Sequence, residues 1–173
     1  MSFSAVILAG GRSTRMGCDK AWLPMNGQPL IAFQLAVVRE LAPVELFISG
    51  RADTDYSSLG CPVLTDAFTD AGPLAGIAAG LDAASAPLVL VLAVDMPNMT
   101  ASVLRGLLSL SASGVGVVPR VKRRVEPLAA FYPKAAAPLA VDLLQRQLRA
   151  VRTFAEHCKR AGLVTFHDVE AAN

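Results

Sequence analysis

Cysteine is scarce in this chain: Cys18, Cys61 and Cys158 are its three. Their odd number and wide spacing exclude a disulfide framework and any metal-ligand spacing. Free thiols in a reducing cytoplasm are the expectation. Histidine is scarcer still, with His157 and His167 late in the chain, and neither reads as a catalytic base. Charge is sparse and balanced. Charged residues make up 17% of the 173 positions and the net charge is +2, which argues against nucleic-acid binding through a broad basic face. Long hydrophobic runs are missing too. The longest near-uniform one, Pro87 to Val94, falls far short of the roughly 20 residues that span a bilayer. No basic, apolar and small-residue leader opens the chain. A cytoplasmic protein with no membrane partner is expected.

Hydrophobic residues nevertheless reach 53%, so a sizeable core is expected in one domain spanning residues 1–173. The apolar composition leaves a monomer and a weak homo-oligomer both open. Short apolar runs predict strands over Ala5–Leu8, Glu45–Ser49, Pro62–Leu64, Leu88–Ala93, Val115–Pro119, Leu128–Tyr132 and Leu163–Phe166. The run at Leu128–Tyr132 is open to an antiparallel placement. Helices are predicted from Pro29 to Leu41, Asp53 to Leu59, Leu74 to Ala84, Ala101 to Leu110, Ala135 to Gln147 and Val151 to Arg160, with Pro29 in the first turn of its helix and Thr100 as an N-cap. The alternation predicts an α/β fold: a Rossmann-like, mainly parallel sheet with helices on both faces. Such sheets bind ligands at the carboxyl ends of their strands.

The strand ends carry the chemistry. Ala5–Leu8 empties through Ala9 into Gly10 and Gly11, and a basic loop with Arg12, Arg15, Gly17 and Lys20 follows. Paired glycines let a backbone turn tightly and approach a ligand, and exposed N–H groups in such a turn attract anions. The spacing matches neither a Walker A loop nor the dinucleotide fingerprint. Asp95 ends the buried run at Leu88–Val94, and Pro97 stiffens the turn after it. A carboxylate there suits a hard cation such as Mg²⁺, which takes a few carboxylate oxygens and substrate phosphates. Asp66 ends the short strand at Val63–Leu64 and precedes Gly72-Pro73-Leu74-Ala75-Gly76, where the glycines leave room for a flat group. Read singly, each has a plainer explanation: a glycine turn, a loop aspartate at Asp66, a turn or capping aspartate at Asp95. Arg120–Arg124 reads equally as a solvated loop tip or a ligand contact.

Taken together, Leu8-Ala9-Gly10-Gly11, Arg15-Met16-Gly17 and Asp19-Lys20 resemble the signature loop of the nucleotidyltransferases of the sugar-nucleotide and molybdenum cofactor type. Gly72–Gly76 and Asp95-Met96-Pro97 resemble the later motifs of that superfamily. The ensemble, from about Ala5 to about Phe166, is most similar to the molybdenum cofactor guanylyltransferases, with a nucleotide-diphospho-sugar transferase type of fold. The resemblance implies that GMP passes from GTP to the terminal phosphate of molybdopterin, with Mg²⁺ and release of pyrophosphate. It implies that the backbone of Leu8, Ala9, Gly10 and Gly11 contacts the nucleotide, with Gly72, Pro73 and Leu74 in the same binding segment. Lys20 would neutralise phosphates and Arg15 would help hold the triphosphate. Asp66 would contact the nucleotide, and Asp95 would bind both nucleotide and Mg²⁺. Arg15, Lys20 and Asp95 are thereby the catalytic candidates, and Glu126–Tyr132 resembles the strand that shapes the acceptor side. Two differences from the family are visible. Ile48 and Ser49 stand where an asparagine is common, and the domain is expected to lack the usual C-terminal Asn-x-Asn-Thr-Pro segment.

Two further readings stay open on the residues alone. A cytidylyl or sugar-phosphate nucleotidyltransferase would share the glycine loop and the aspartates. A nucleotide-binding accessory protein without turnover would keep the loop and lose the reaction.

Overall fold

The apolar runs become the middle of a sheet. The computed structural model describes residues 1–10, 19–65, 67–68 and 71–169. Strand β1 (Ser4–Leu8) leads to a 3₁₀ turn over Lys20–Trp22, a small hairpin of β2 (Pro24–Met25) and β3 (Gln28–Pro29), helix α1 (Leu30–Arg39), strand β4 (Glu45–Ser49), a 3₁₀ turn over Ser57–Leu59 and strand β5 (Val63–Leu64). Then come α2 (Pro73–Ala83), β6 (Leu88–Ala93), α3 (Ala101–Leu110), β7 (Gly116–Val121), β8 (Arg124–Val125) and β9 (Ala129–Pro133). A 3₁₀ turn over Lys134–Ala136, α4 (Ala137–Gln145), α5 (Val151–Arg160) and β10 (Val164–Val169) complete the described chain.

The main sheet runs β10-β7-β9-β6-β1-β4-β5, with β8 paired to β7. Strands β1, β4, β5 and β6 are parallel, and β9 is antiparallel to both β6 and β7. The expected α/β class and mainly parallel sheet are what is observed, and the run near Leu128–Tyr132 takes the antiparallel option. Side-chain alternation divides the core. Val6 and Leu8 of β1 point to α2, α4 and α5, whereas Ala5 and Ile7 point to α1 and α3. All five β1 residues and all six β6 residues are buried, which is why these strands read as unbroken apolar runs rather than as alternating ones.

Close packing depends on small residues, Gly80 and Gly116 among them. A Cβ on Gly80 of α2 would stand 2.7 Å from Val6 Cγ1, and one on Gly116 of β7 would stand 2.0 Å from the Phe131 carbonyl oxygen. Neither contact leaves room for a side chain.

Several local expectations are corrected. The helix predicted from Asp53 to Leu59 shrinks to the 3₁₀ turn at Ser57–Leu59. Its start is diverted by local polar bonds: Asp53 is held by Arg51 at 2.8 and 2.7 Å, and Asp55 Oδ1 accepts the Ser57 N–H at 2.8 Å. Short polar side chains that capture nearby groups compete with the helix in this way. Pro29 closes β3 in an extended conformation, and α1 begins at Leu30. The helix predicted over Ala135–Gln147 starts with a 3₁₀ turn and ends at Gln145. Thr100 is the N-cap expected of it, its Oγ1 accepting the Val103 N–H at 3.3 Å.

The basic run Arg120–Arg124 is not a loop but a hairpin. Arg120 lies in β7 and pairs with Asp168 of β10 at 2.7 Å, and Arg124 opens β8. The tip residues Lys122 and Arg123 both have positive φ, 47° and 65°. A two-residue turn of this kind favours Asn-Gly, because other residues carry a Cβ penalty there. Replacing the tip, Lys122→Asn with Arg123→Gly, is expected to raise stability by about 1 kcal/mol. Urea unfolding measures it, and an unchanged or lowered midpoint would mean the tip carries no such strain.

Candidate functional site

The strand order creates the site. From β1 the chain builds β4 and β5 on one side, then returns to lay β6 on the other. The crevice at such a reversal, beyond the carboxyl ends of the strands, is where open α/β sheets bind ligands. The register makes it specific. Leu8 of β1 is level with Ser49 of β4 and Ala93 of β6. Beyond the strands, the Ala9 N–H donates to the Ser49 carbonyl at 2.8 Å and the Val94 N–H donates to the Leu8 carbonyl at 3.1 Å. Gly10 and Asp95 therefore leave the sheet side by side.

Asp95 is the carboxylate of this crevice. An open hollow of about 240 Å³ is lined by Asp95, Met96, Pro97, Asn98 and Met99. Lys20 reaches it from the 3₁₀ turn, with Nζ 3.4 Å from Asp95 Oδ2 across 75 residues of sequence. Both side chains are about half exposed, at 47% and 50%. The turn is secured locally. Asp19 caps it, Oδ1 accepting the Ala21 N–H at 3.0 Å, and Ala21 is fully buried. Trp22 stacks on Tyr56 with ring centroids 6.1 Å apart. Tyr56 in turn packs against Gly50, where a Cβ would stand 2.3 Å from the ring. The end of β4 and the lysine turn are thus parts of one packed unit.

The remaining candidates fall around the same edge. Leu8, Ala9 and Gly10 form the end of β1, with Leu8 and Ala9 buried and Gly10 exposed. A Cβ on Gly10 would meet only ordinary contacts with Gly50 at 3.7 Å. Gly72 has φ 73° and ψ −163° at the start of α2, a conformation open essentially to glycine alone. Pro73 follows at the first helical turn, and Leu74 is buried beneath it. Gly11, Arg15 and Asp66 lie outside the described residues, as does Cys18. Ile48 is fully buried on the α1 face of the sheet, and the strand end itself is Ser49. Ser49 is 4% exposed and faces α2, with Oγ 2.3 Å from where a Gly76 Cβ would stand.

On the other flank of Asp95 stands the segment read as the acceptor side. The Leu128 carbonyl accepts the Ala93 N–H at 2.8 Å, and the Glu126 N–H donates to the Pro119 carbonyl at 2.9 Å. The row Val117, Phe131 and Leu90 crosses β7, β9 and β6. Both β6 and β7 run antiparallel to β9, so they point the same way, and the β7–β8 tip lies beyond the same edge of the sheet as Asp95. The exposed tip at Lys122 and Arg123 overlooks the same edge as the crevice.

Other titratable groups stay apart. His157 is on α5, bonded through Nδ1 to the Thr153 carbonyl oxygen at 2.8 Å, and His167 is exposed on the edge strand β10. Cys158 is fully buried, and burial pushes its thiol up to about 12. Asp53, on the surface after β4, is held down to about 2 by the guanidinium of Arg51. Among the described residues there is no group of three metal-ligating side chains, and no helix is long and apolar enough to cross a membrane.

One residue at this site was invisible to motif reading. Gln34 of α1 is fully buried, and its Nε2 donates to the Val94 carbonyl at 3.4 Å and the Met96 carbonyl at 2.8 Å. Its Oε1 is buried without a partner, a condition that costs about 1–3 kcal/mol. The available signal was a lone polar residue in the apolar stripe Leu30, Ile31, Leu35, Val37 and Val38.

Comparison with known proteins identifies the family and the fold. Residues 5–161 match the family described as the MobA-like NTP transferase domain. A protein of Opitutus terrae named "Probable molybdenum cofactor guanylyltransferase" is 39% identical over 156 residues, covering 88% of this chain and 77% of its own. A molybdenum cofactor guanylyltransferase of Pseudomonas putida is 38% identical over 138 residues, covering 78% of this chain and 72% of its own. Among solved structures, molybdopterin-guanine dinucleotide biosynthesis protein A of Archaeoglobus fulgidus superposes with a TM-score of 0.76 at 24% identity, over 96% of this chain and 83% of that one. The fold extends further: 2-C-methyl-D-erythritol 4-phosphate cytidylyltransferase of Thermus thermophilus gives a TM-score of 0.73 at 20% identity, over 96% and 88% of the two chains.

The close seat of α2 against the ends of β1 and β4 is testable at Gly76. A Cβ there would also stand 2.9 Å from Leu8 Cδ2. Gly76→Val is expected to destabilise the protein by about 3 kcal/mol. A urea midpoint equal to that of the unaltered protein would show that α2 does not depend on this contact.

Proposed function

The chain belongs to the MobA-like NTP transferase domain family and is a nucleotidyltransferase, and we propose that it transfers GMP from GTP to the terminal phosphate of molybdopterin. The observation that carries this reading is the approach of Lys20 to Asp95 at the β1–β6 crevice. One cation and one anion stand together, half exposed, beside bare backbone at Gly10 and the glycine-led start of α2.

In the proposed reaction an oxygen of the molybdopterin phosphate forms a bond to the α-phosphorus of GTP. The bond from that phosphorus to the α,β-bridging oxygen breaks, and pyrophosphate leaves with the electron pair. A phosphate monoester is already largely ionised at neutral pH, so no general base is required. This suits a site from which both histidines stand away. Alignment and charge stabilisation are the protein's share of phosphate-transfer chemistry. Lys20 neutralises the triphosphate and supports charge as it builds on the leaving oxygens. The backbone at Ala9 and Gly10 takes the nucleotide at close range. Gly11, Arg15 and Asp66 join this set by the resemblance.

The residues present fit Mg²⁺. Asp95 offers a hard oxygen donor, and an ammonium already stands against it. Asp95 is the carboxylate that the described residues bring to this crevice, and a few carboxylate oxygens completed by substrate phosphates suit that ion. Asp95 would hold it, and when bound it would offset phosphate charge as a Lewis acid.

The acceptor belongs on the opposite flank of Asp95, between Glu126–Leu128 and the β7–β8 hairpin. Lys122 and Arg123 supply exposed positive charge at that edge of the sheet, for an acceptor that is itself a phosphate ester.

Calorimetry of GTP, CTP and ATP, each with Mg²⁺, tests the base. Selective GTP binding is expected; selective CTP binding would move the chain to a cytidylyl reaction, and no binding would remove the nucleotide reading. Asp95→Ala is expected to lower Mg²⁺-dependent pyrophosphate release by about 10²-fold or more. Full activity in that variant would remove the carboxylate from the reaction. Lys122→Asn with Arg123→Gly is expected to raise KM for molybdopterin about tenfold while KM for GTP stays constant. An unchanged acceptor KM would place the acceptor elsewhere.

A further inference from the structure

We propose that Gln34 is a positioning residue that sets Asp95 for its work in the crevice. The inference rests on the reading of Asp95 as the carboxylate that meets a divalent cation and the nucleotide.

Gln34 lies on the core side of α1, surrounded by apolar neighbours. Packing alone would be served by leucine or methionine. What the glutamine adds is one NH₂ group with two donors, and both go to the carbonyls of Val94 and Met96. Those are the residues immediately before and after Asp95. The Asp95 backbone is thus held from inside the core on both sides, while its side chain faces out beside Lys20.

The hold acts where the fold has little else to offer. Strand β6 ends at Ala93 and α3 begins at Ala101. Between them, the described ties include the Val94 N–H to Leu8, the Met99 N–H to the Met96 carbonyl at 3.1 Å, the exposed Lys20–Asp95 pair, the Thr100 cap of α3, and Gln34. The first fixes the near end of the link to β1, and the second closes the turn on itself. Of these, Gln34 is the tie that joins the turn to α1 and holds the backbone on both sides of Asp95.

The amide orientation is determined by its partners. A flipped Gln34 would turn its own carbonyl oxygen toward two carbonyl oxygens, so the NH₂ group faces Val94 and Met96. Oε1 then points into the core unpaired. A buried polar group in that state is kept for what its other end does. The arrangement is analogous to outer groups that orient metal ligands, whose loss typically changes metal affinity or activity by 10–100-fold.

The test uses the full chain with Gln34→Met and Gln34→Glu. Methionine keeps the length and loses both donors. Protonated glutamic acid keeps one donor; ionised, it opposes two carbonyl oxygens. For Gln34→Met a cooperative melt is expected, with about a tenfold rise in the Mg²⁺ concentration for half-maximal GTP turnover. A lower kcat and a KM for GTP within about twofold of the unaltered protein should accompany it. For Gln34→Glu activity is expected to be partly restored at low pH and to fall as pH rises and the acid ionises, relative to the unaltered protein at each pH. A merely structural glutamine would lower the melting temperature and leave the Mg²⁺ dependence, kcat and relative pH profile in place; that result overturns the proposal. If the unaltered protein itself shows no Mg²⁺-dependent GTP turnover, the reading of Asp95 fails first and the role of Gln34 falls with it.

Discussion

The register of β1 against β6 is the constraint on which the candidate site depends. A slip of one residue would turn Val6 and Leu8 toward α1 and α3, and Ala5 and Ile7 toward α2. It would also part Gly10 from Asp95. Burial on both faces prevents the slip, because each face of β1 is fitted to a different helix layer. On one face, Gly80 meets Val6 and Gly76 meets Leu8 and Ser49 with no space for a side chain. The core and the crevice therefore rest on the same alignment, and the hydrogen bond from Val94 to Leu8 carries it one residue beyond the strands.

From that alignment the site assembles with few additional parts. The 3₁₀ turn brings Lys20 over the crevice, and its own packing reaches through Trp22 and Tyr56 to Gly50 at the end of β4. Gln34 ties the opposite wall to α1. The β9 start, through Leu128, holds the remaining side of Ala93. Three segments meet around the end of β6: the lysine turn and α1, which share one core layer, and the start of β9, which lies beside it in the sheet.

Much of this could be read in the amino acids, for physical reasons that differ by element. Strands buried on both faces announce themselves by unbroken apolar runs, as at Leu88–Ala93, and a carboxylate at such an end is conspicuous. Gly72 and Pro73 mark the start of α2, one by a backbone only glycine favours and the other by its fixed φ. The β7–β8 hairpin was hidden because its tip holds Lys122 and Arg123 where Asn-Gly would have signalled the turn. The helix expected from Asp53 was lost to Arg51–Asp53 and Asp55–Ser57 bonds, which depend on side-chain geometry that spacing does not reveal. Gln34 was hidden for another reason: its partners are backbone carbonyls some 60 residues away, and no motif records them.

The Lys20–Asp95 pair shows why exposure matters at such a place. Two half-exposed ions at 3.4 Å are stabilised by about 0–1 kcal/mol, so separating them costs little. A fully buried pair would resist, since removing either partner strands a charge at a cost of about 3–5 kcal/mol. In the proposed reaction, a triphosphate entering with its cation would offer each member of the pair a new counter-charge, ammonium to phosphate and carboxylate to cation. The weak pair keeps both groups oriented toward the crevice without holding them from those partners. Rigidity is instead placed one layer deeper, in the backbone around Asp95 and in the capped turn that carries Lys20.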